Sequence, residues 1–284
     1  MKMKTFTFIF DYLWLLSVFW CADKYIDNEL TPLKASLTLS VFIFAFFRDI
    51  TYMIIFNDKI SKSKLNFKPD LELLISFTKD TLFFGASLAF LTYVNLFYWK
   101  SMFCDIKKSA NIISGIYIDS FILIVSKELQ LEFFHRLMHE NNYFVPKKLT
   151  KEIQRIHKLH HKTTTDLWTL NAFYVELADS VMESLLAPII LFIVKFSLGH
   201  ELKVHLGSFL LFIIFDLHCH SANPYTQALY NPFLDHIFKC TVSHNIHHVY
   251  PSKNYRQIPL HHLFNSKRNK DIELYNKVHQ TNFS

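Results

Sequence analysis

Three short histidine motifs hold the residues best able to do chemistry in this sequence. They read HRLMH from His135, HKLHH from His157 and HNIHH from His244. Residues three or four apart share one face of a helix, so the histidines of a motif can point into one site. Neutral imidazole is a common protein ligand for iron, zinc and copper. The motifs therefore predict a metal centre with the candidate ligands His135, His139, His157, His160, His161, His244, His247 and His248.

The distribution of histidine along the chain supports this interpretation. All sixteen histidines lie at or after His135, whereas scattered structural histidines would also occur earlier. One ion takes about four to six ligands, so this many imidazoles fit two ions better than one. The four cysteines form no CxxC pair, and HRLMH lacks the glutamate of a metalloprotease helix. All-nitrogen sites with open positions suit iron that binds O₂, while redox-inert zinc could substitute in purified protein.

Composition predicts an integral membrane protein. The chain is 51% hydrophobic and 17% aromatic, with 30 Phe and only 4 Gly, which is unusual for a soluble domain. Four apolar runs are interpreted as spans, at about residues 5–22, 35–56, 71–99 and 110–125. The first is expected to be an uncleaved span, because charged residues follow it where a signal peptide would have small ones. Charges inside the runs, as in Arg48/Asp49 and Lys79/Asp80, can neutralise each other and favour a helical bundle.

Two later apolar runs, about residues 167–198 and 204–217, flank a turn at Gly199 and predict a helical hairpin. The lysine-rich loop at 58–68 is expected in the cytoplasm, which places the histidine motifs on the cytoplasmic face. The net charge of +6 is interpreted as loop charge near lipid headgroups, and nucleic-acid binding is not expected. We predict an all-α, polytopic membrane bundle of about four spans plus the hairpin, with a cytoplasmic histidine-rich cap. It forms one domain over 1–284, with transmembrane helices in 1–128 and the catalytic region in 129–284.

The three motifs, set between membrane hairpins, resemble the histidine boxes of the fatty acid hydroxylase and sterol desaturase superfamily, which read HxxxH, HxxHH and a later HxxHH. The resemblance covers about residues 117–264 and implies a membrane-bound non-haem di-iron oxygenase. It further implies a ninth ligand after the hairpin, where His220 matches best and His218 is an additional candidate. Arg136 also matches a recurrent feature of the family, and we expect it to form an ion pair with Glu140.

The chain departs from the family pattern in the hairpin. Many members carry His-Pro-x-Glu there, whereas this chain has SVME at Ser180–Glu183. Glu176, Asp179 and Glu183 share one helical face. Asp179 or Glu183 is expected to be a further ligand or to fix the tautomer of a ligating histidine. The alternative is a helix end exposed to water.

A second departure follows the third box, where Asn254-Tyr255-Arg256 stands in place of the family's frequent Asn-Tyr-Gly. The arginine is expected to change either the backbone turn or the rim of the site. The remaining histidines are interpreted as surface or structural residues, namely His200, His205, His236, His261, His262 and His279.

The sequence thus predicts an enzyme that hydroxylates or desaturates a lipid with two iron ions and O₂. It has no NAD, flavin or haem motif, so we expect a separate electron donor of the cytochrome b5/reductase or ferredoxin type. The membrane would be the endoplasmic reticulum of a eukaryote or the inner membrane of a bacterium. Two alternatives are an inactive family member with a structural role and, less favoured, a metal transporter with histidines along its spans. Sterol, fatty acyl, sphingoid and ether lipids all stay open as substrates.

Overall fold

The computed structural model is mostly helical and describes residues 2–27, 29–42, 71–103, 105–140, 145–162, 172–220 and 238–279. Its α-helices are α1 (Lys2–Ile26), α2 (Pro32–Phe42), α3 (Leu71–Tyr93), α4 (Ile106–Gln130), α5 (Arg136–His139), α6 (Lys147–His157), α7 (Leu177–Ser184), α8 (Leu186–Ser197), α9 (Leu206–Cys219), α10 (Cys240–Val249) and α11 (Asn265–His279). A π-helical turn, Leu131–His135, joins α4 to α5, and short 3₁₀ turns cover His160–Lys162 and Leu260–Leu263. The predicted all-α fold class is confirmed.

Three helical segments in the described ranges are long and apolar enough to cross a membrane, namely Leu74–Tyr93, Ile106–His139 and Leu177–Ser197. The first predicted run lies within α1, which is not among the three. Most of the second predicted span, with Arg48 and Asp49, lies outside the described residues, as does the basic loop at 58–68. The number of spans and the side that the histidines face therefore stay predictions.

The helical segment that contains the fourth predicted span extends beyond the apolar run. That run ends near residue 125, but the helical segment continues to His139. Lys127 is buried, and its Nζ lies 2.5 Å from Oδ1 of Asp216 in α9. A lysine paired with a carboxylate on a neighbouring helix can remain inside a bundle, which is why this charge does not mark the helix end.

Two short parallel strands mark the end of the bundle opposite the histidines. β1 (Phe97–Tyr98) follows α3 and pairs with β2 (Val204–His205), which precedes α9. The hairpin turn before β2 contains Gly199 with φ +68°, as a glycine in a tight turn can adopt. Helices α4 and α9 both begin near this strand pair; α4 leads through the π-helical turn to His135, and α9 ends directly before His220. The topology therefore collects the motifs at one end.

Close packing around Gly207 holds α9 in the centre of the bundle. A Cβ atom on Gly207 would lie 3.1 Å from side-chain atoms of both Phe19 in α1 and Ile116 in α4. His205 is buried, and its Nδ1 accepts the backbone N–H of Gly207 at 2.9 Å, which satisfies one free donor at the start of α9. His205 thus has the structural role expected for it, and α9 can approach both neighbours closely.

Candidate metal centre

Nine histidines lie in two adjacent buried groups at one end of the bundle. In each group the ligand nitrogens all lie within 4.8 Å of one another. The groups adjoin, because the rings of His161 and His248 have centroids 4.8 Å apart. The larger group contains His135, His139, His157, His161 and His247, and the smaller contains His160, His220, His244 and His248. The structure therefore brings together all nine histidines that the sequence named as principal ligands.

An irregular helix presents the first motif. The π-helical turn ends at His135, and His139 follows one turn later in α5. Their ring centroids are 5.1 Å apart. A π-helical turn carries one more residue than an α-helical turn, and such turns are frequent at functional sites. Arg136 points outward between them, with its Nε 2.9 Å from Oε2 of Glu140.

Each of the two HxxHH motifs divides its histidines between the groups. His157 ends α6 and joins the larger group with His161, while His160 in the following 3₁₀ turn joins the smaller. In α10, His244 and His248 are four apart and enter the smaller group together. The single histidine between them, His247, enters the larger group.

In two ligands of the larger group, a hydrogen bond to a backbone carbonyl fixes which ring nitrogen carries the proton. Nδ1 of His135 lies 2.9 Å from the Tyr255 carbonyl, and Nδ1 of His247 lies 2.6 Å from the Lys253 carbonyl. A carbonyl only accepts, so each neutral ring carries its proton on Nδ1 and a lone pair on Nε2. The two Nε2 atoms lie 3.0 Å apart, where facing lone pairs repel.

That spacing fits ligands of one ion. Two nitrogens about 2.1 Å from an ion and at right angles to each other are about 3.0 Å apart. Nε2 of His157 likewise lies 3.1 Å from Nε2 of both His135 and His161. A cation among these atoms would convert the lone-pair repulsion into coordination. The donor set of the larger group therefore fits a metal ion.

The smaller group has the same arrangement. Nδ1 of His220 lies 3.0 Å from the Asp216 carbonyl, so its Nε2 also faces the group with a lone pair. That Nε2 lies 2.9 Å from Nε2 of His244 and 3.2 Å from Nε2 of His160. The distance from His244 to His248, between Nε2 atoms, is 3.2 Å. Four imidazoles thus converge here as well and fit a second ion.

A buried carboxylate orients one ligand of the larger group. Nδ1 of His157 donates to Asp179 Oδ2 at 2.9 Å, and Asp179 is fully buried. Glu183 lies farther away, with Oε1 3.8 Å from Nδ1 of His157 and 3.9 Å from Nε2 of His135. Glu176, the third residue of the predicted face, is partly exposed and pairs with Arg155. Of the three carboxylates, Asp179 is therefore the one that fixes the tautomer of a candidate ligand.

Burial keeps the imidazoles beyond the spanning helices neutral. The pKa of His157, His160, His244 and His247 is lowered well below its ordinary value, first by burial and then by neighbouring imidazoles. Burial lowers the pKa of His161 to about 3. A protonated imidazole has no lone pair for a metal, so rings held neutral near pH 7 are suited to bind one.

His218 lies outside both groups. His218 and His220 were both named as candidates for the ligand after the hairpin, and on a strand or turn both could reach the site. Instead, α9 remains helical through Cys219, so residues two apart point in different directions. The His218 ring packs toward Trp14, with centroids 6.3 Å apart. The helical structure therefore places His220 in the smaller group and His218 outside both groups.

A third cluster, formed by His261, His262 and Asp271, is a network of hydrogen bonds rather than a set of free ligand nitrogens. Both Nε2 atoms lie near Asp271 Oδ2, at 2.8 Å from His261 and 2.9 Å from His262. The backbone N–H of Lys239 donates to Nδ1 of His262 at 3.1 Å, so the proton of a neutral ring is on Nε2 and points at Asp271. His262 therefore has no lone pair left for an ion. The cluster joins α11 to the segment that precedes α10.

The segment after the third motif closes over the larger group. Asn254 has φ +55°, and the next residue supplies the carbonyl that binds His135. The Tyr255 hydroxyl donates to Oε1 of Glu140 at 2.7 Å. Nε of Arg256 lies 2.6 Å from Oε2 of Glu132 in the π-helical turn. The arginine that departs from the family pattern thus forms an ion pair at the rim.

Several groups that hold the ligands were missed by sequence reasoning. The carbonyls of Lys253 and Tyr255 leave no signal in a sequence, because every residue has one. Asp216 had a signal: it is a lone carboxylate in an apolar run, four residues before His220. Its side chain binds Lys127, and its carbonyl accepts from the His220 ring.

The sequence model of the fatty acid hydroxylase family matches residues 120–266, which is just over half of the chain. The chain therefore belongs to the fatty acid hydroxylase family, within the fatty acid hydroxylase and sterol desaturase superfamily. In the same comparisons no curated protein and no solved structure matched the chain. Membership in a family of metal-dependent hydroxylases and desaturases agrees with two groups of neutral imidazoles beside long apolar helices.

Proposed function

We propose that the protein is a membrane-bound lipid hydroxylase or desaturase that uses two iron ions, O₂ and electrons from a separate donor. The observation that carries this proposal is the convergence of imidazole lone pairs in two adjacent groups of five and four histidines. The larger group would hold one ion and the smaller group the other. Bound iron would supply the activation of O₂, which amino-acid side chains do not provide.

The protein's own groups prepare the ligands for this role. Backbone carbonyls and Asp179 hold protons on Nδ1 atoms, so that the Nε2 lone pairs face inward. Burial keeps water away from the rings. An apolar cavity reaches Glu183 and Asp216, which contact or support the histidines, and offers a lipid chain a place beside the centre. Water exclusion and substrate position are the contributions that the fold makes to such a reaction.

Hydroxylation and desaturation both consume one O₂ molecule, two external electrons and two protons. Hydroxylation puts one oxygen atom of O₂ into a C–H bond and reduces the other to water with two external electrons and two protons. Desaturation removes two hydrogens from the lipid, and the same external supply completes the reduction of O₂ to two water molecules. We propose that the donor, a cytochrome b5-type or ferredoxin-type protein, approaches the histidine end from the cytoplasm. Exposed Lys147, Lys148 and Lys151 on α6 support an acidic partner there.

The metal content of the full chain tests the proposal first. Protein purified in detergent from iron-replete cells should contain about two irons per chain. A His157→Ala/His160→Ala variant, which removes one ligand from each group, should lose most of both. His200→Ala is the matched control, because His200 is exposed in the hairpin turn far from the groups. Wild-type metal near zero, or metal retained in the double variant, would overturn the proposal.

Isotope labelling then tests the reaction. Membranes with the wild-type protein, a reductase system and ¹⁸O₂ should form lipids with one ¹⁸O atom if the enzyme hydroxylates, or lipids lighter by two hydrogens if it desaturates. The double variant should form neither. Two bound irons without any such product would favour the inactive family member.

A further inference from the structure

A mostly apolar cavity of about 150 Å³ lies between α3, α7, α8 and α9, beside the larger histidine group. It reaches the group at Glu183, whose Oε1 is 3.8 Å from Nδ1 of His157. Carboxyl and hydroxyl groups line its walls only at a few positions. The apolar lining includes Phe83, Phe84, Leu91, Pro188, Phe209 and Ile213.

The polar end of the cavity contains a buried carboxyl group with an unused oxygen. Asp80 of α3 is 1% exposed, and its Oδ2 accepts a hydrogen bond from the Ser180 hydroxyl at 3.1 Å. Its Oδ1 has no hydrogen-bond partner among the described residues, and neither has the adjacent Thr81 hydroxyl. Native proteins seldom bury an oxygen in this way, because leaving it unpaired costs its hydration without replacement. The oxygen therefore points to a ligand that supplies the missing bond.

Ser180 places this carboxyl close to the metal centre. It directly follows Asp179, which binds His157, and it lies three residues before Glu183. With a rise of 1.5 Å per residue, Ser180 and Glu183 are about 4.5 Å apart along α7. In the other direction, Leu91 lies eleven residues beyond Asp80, or about 16 Å along α3. A lipid anchored at Asp80 would thus have its polar end near the ligands and its chain along α3.

We propose that Asp80, held in place by Ser180, binds a hydroxyl group of the lipid substrate. This inference rests on the proposed function and names the substrate class of the same site. A hydroxyl both donates and accepts, so it can donate to Oδ1 of Asp80 and accept from the Thr81 hydroxyl, the two atoms left without a partner in the described part of the chain. Anionic headgroups fit poorly, because Glu183 and Asp216 also line the cavity. The serine that replaces the family's frequent histidine in the hairpin thereby holds the carboxyl group that binds the substrate.

Displacement of tritiated 1-hexadecanol from the full chain in detergent tests this assignment. The competing probes are unlabelled 1-hexadecanol and its methyl ether, which has nearly the same chain but no donor. Wild type should bind the alcohol about tenfold more tightly than the ether, as the gain of one buried hydrogen bond predicts. Asp80→Leu should abolish the preference for the alcohol without weakening the binding of the ether. Asp80→Asn should restore the preference, since an amide also pairs with a hydroxyl.

Ser87→Ala is the matched control. Ser87 lines the same cavity and lies seven residues beyond Asp80, on the same face of α3, so its removal should leave the preference unchanged. Equal binding of alcohol and ether by wild type overturns the proposal, as does a preference that persists in Asp80→Leu. Tighter binding of 1-aminohexadecane than of the alcohol also overturns it. The assay needs neither turnover nor metal, so its failure is distinct from a failure of the proposed function.

Discussion

His157 and Asp179 form a buried pair in which ring Nδ1 lies 2.9 Å from carboxylate Oδ2, with each side chain at most 1% exposed. The pair ties the second histidine motif to helix α7, which also carries Ser180 and Glu183. A carboxylate on Nδ1 fixes the ring orientation and raises the basicity of Nε2. The position of one ligand thus depends on a helix that itself contributes no histidine.

Replacing Asp179 should weaken metal binding without removing a ligand. Asp179→Asn keeps the size of the side chain but loses its charge, and we expect metal affinity to fall about 10- to 100-fold. Competition with a chelator measures the affinity. Glu176→Gln is the control, because Glu176 is partly exposed at the start of the same helix and contacts Arg155 rather than a histidine. Equal affinities for wild type and Asp179→Asn would show that the carboxylate has no role in metal binding.

Breaking the buried pair between Lys127 and Asp216 should destabilise the bundle. Lys127→Met leaves the Asp216 carboxylate without its cation, and we expect a loss of about 3 kcal/mol. The unfolding midpoint in detergent measures the change. Replacing both residues, as Lys127→Met/Asp216→Leu, should recover part of the loss because no unpaired charge remains. A single variant that unfolds at the wild-type midpoint would mean that the pair does not stabilise the fold.

Acidification should destabilise the metal-free protein. An unfolded chain binds protons at histidine below about pH 6.5, whereas folding lowers the pKa of His157, His160, His244 and His247. Above that pH neither state is protonated at these rings. Below it the unfolded state binds more protons, so stability falls with decreasing pH by about 1.4 kcal/mol per pH unit for each ring.

The unfolding temperature of chelator-treated protein between pH 7.5 and 5.5 measures this effect. Wild type should unfold at progressively lower temperature as the pH falls. His160→Gln, which removes one titrating ring, should show a shallower fall, and His200→Ala should keep the wild-type slope. A flat profile for wild type would contradict the neutral state assigned to these rings.

Replacing Arg256 should have little effect on the centre. The ion pair with Glu132 lies at the rim, with side chains 31% and 38% exposed, and partly exposed pairs contribute about 1 kcal/mol or less. Arg256→Gly, which introduces the family's frequent residue, should therefore retain the wild-type metal content and a similar unfolding midpoint. Loss of metal in this variant would show that the arginine organises the loop over the larger group.

The candidate ligands could be predicted because their spacing alone places them on common helical faces. His135 and His139 are four apart, as are His244 and His248, and helical geometry brings each pair into one group. The division of His157 and His160 between the groups could not be predicted, because it depends on a 3₁₀ turn after α6. Whether His218 accompanies His220 into a group also could not be predicted, since the motif does not reveal where α9 ends.

Contacts between distant segments were beyond the sequence. The sequence suggested that Lys79 and Asp80 could partly neutralise each other, but it did not predict that Asp80 accepts a hydrogen bond from Ser180, one hundred residues away. The expectation that charges within spans would find partners in the bundle did hold for Asp119, whose Oδ2 lies 3.0 Å from Nζ of Lys195 in α8. Sequence indicates that a buried charge needs a partner, but only the packing of helices selects it.

The π-helical turn at Leu131–His135 changes the direction of the first two ligands relative to the packing face of α4. In an uninterrupted α-helix, the side of α4 that packs against α8 and α9 would dictate the direction of every later residue. The additional residue in the turn resets this phase by about 100° just before the first ligand. With the same packing face, a continuous α-helix would aim His135 and His139 about 100° away from their present direction, so the turn lets one helical segment both pack in the bundle and present two ligands.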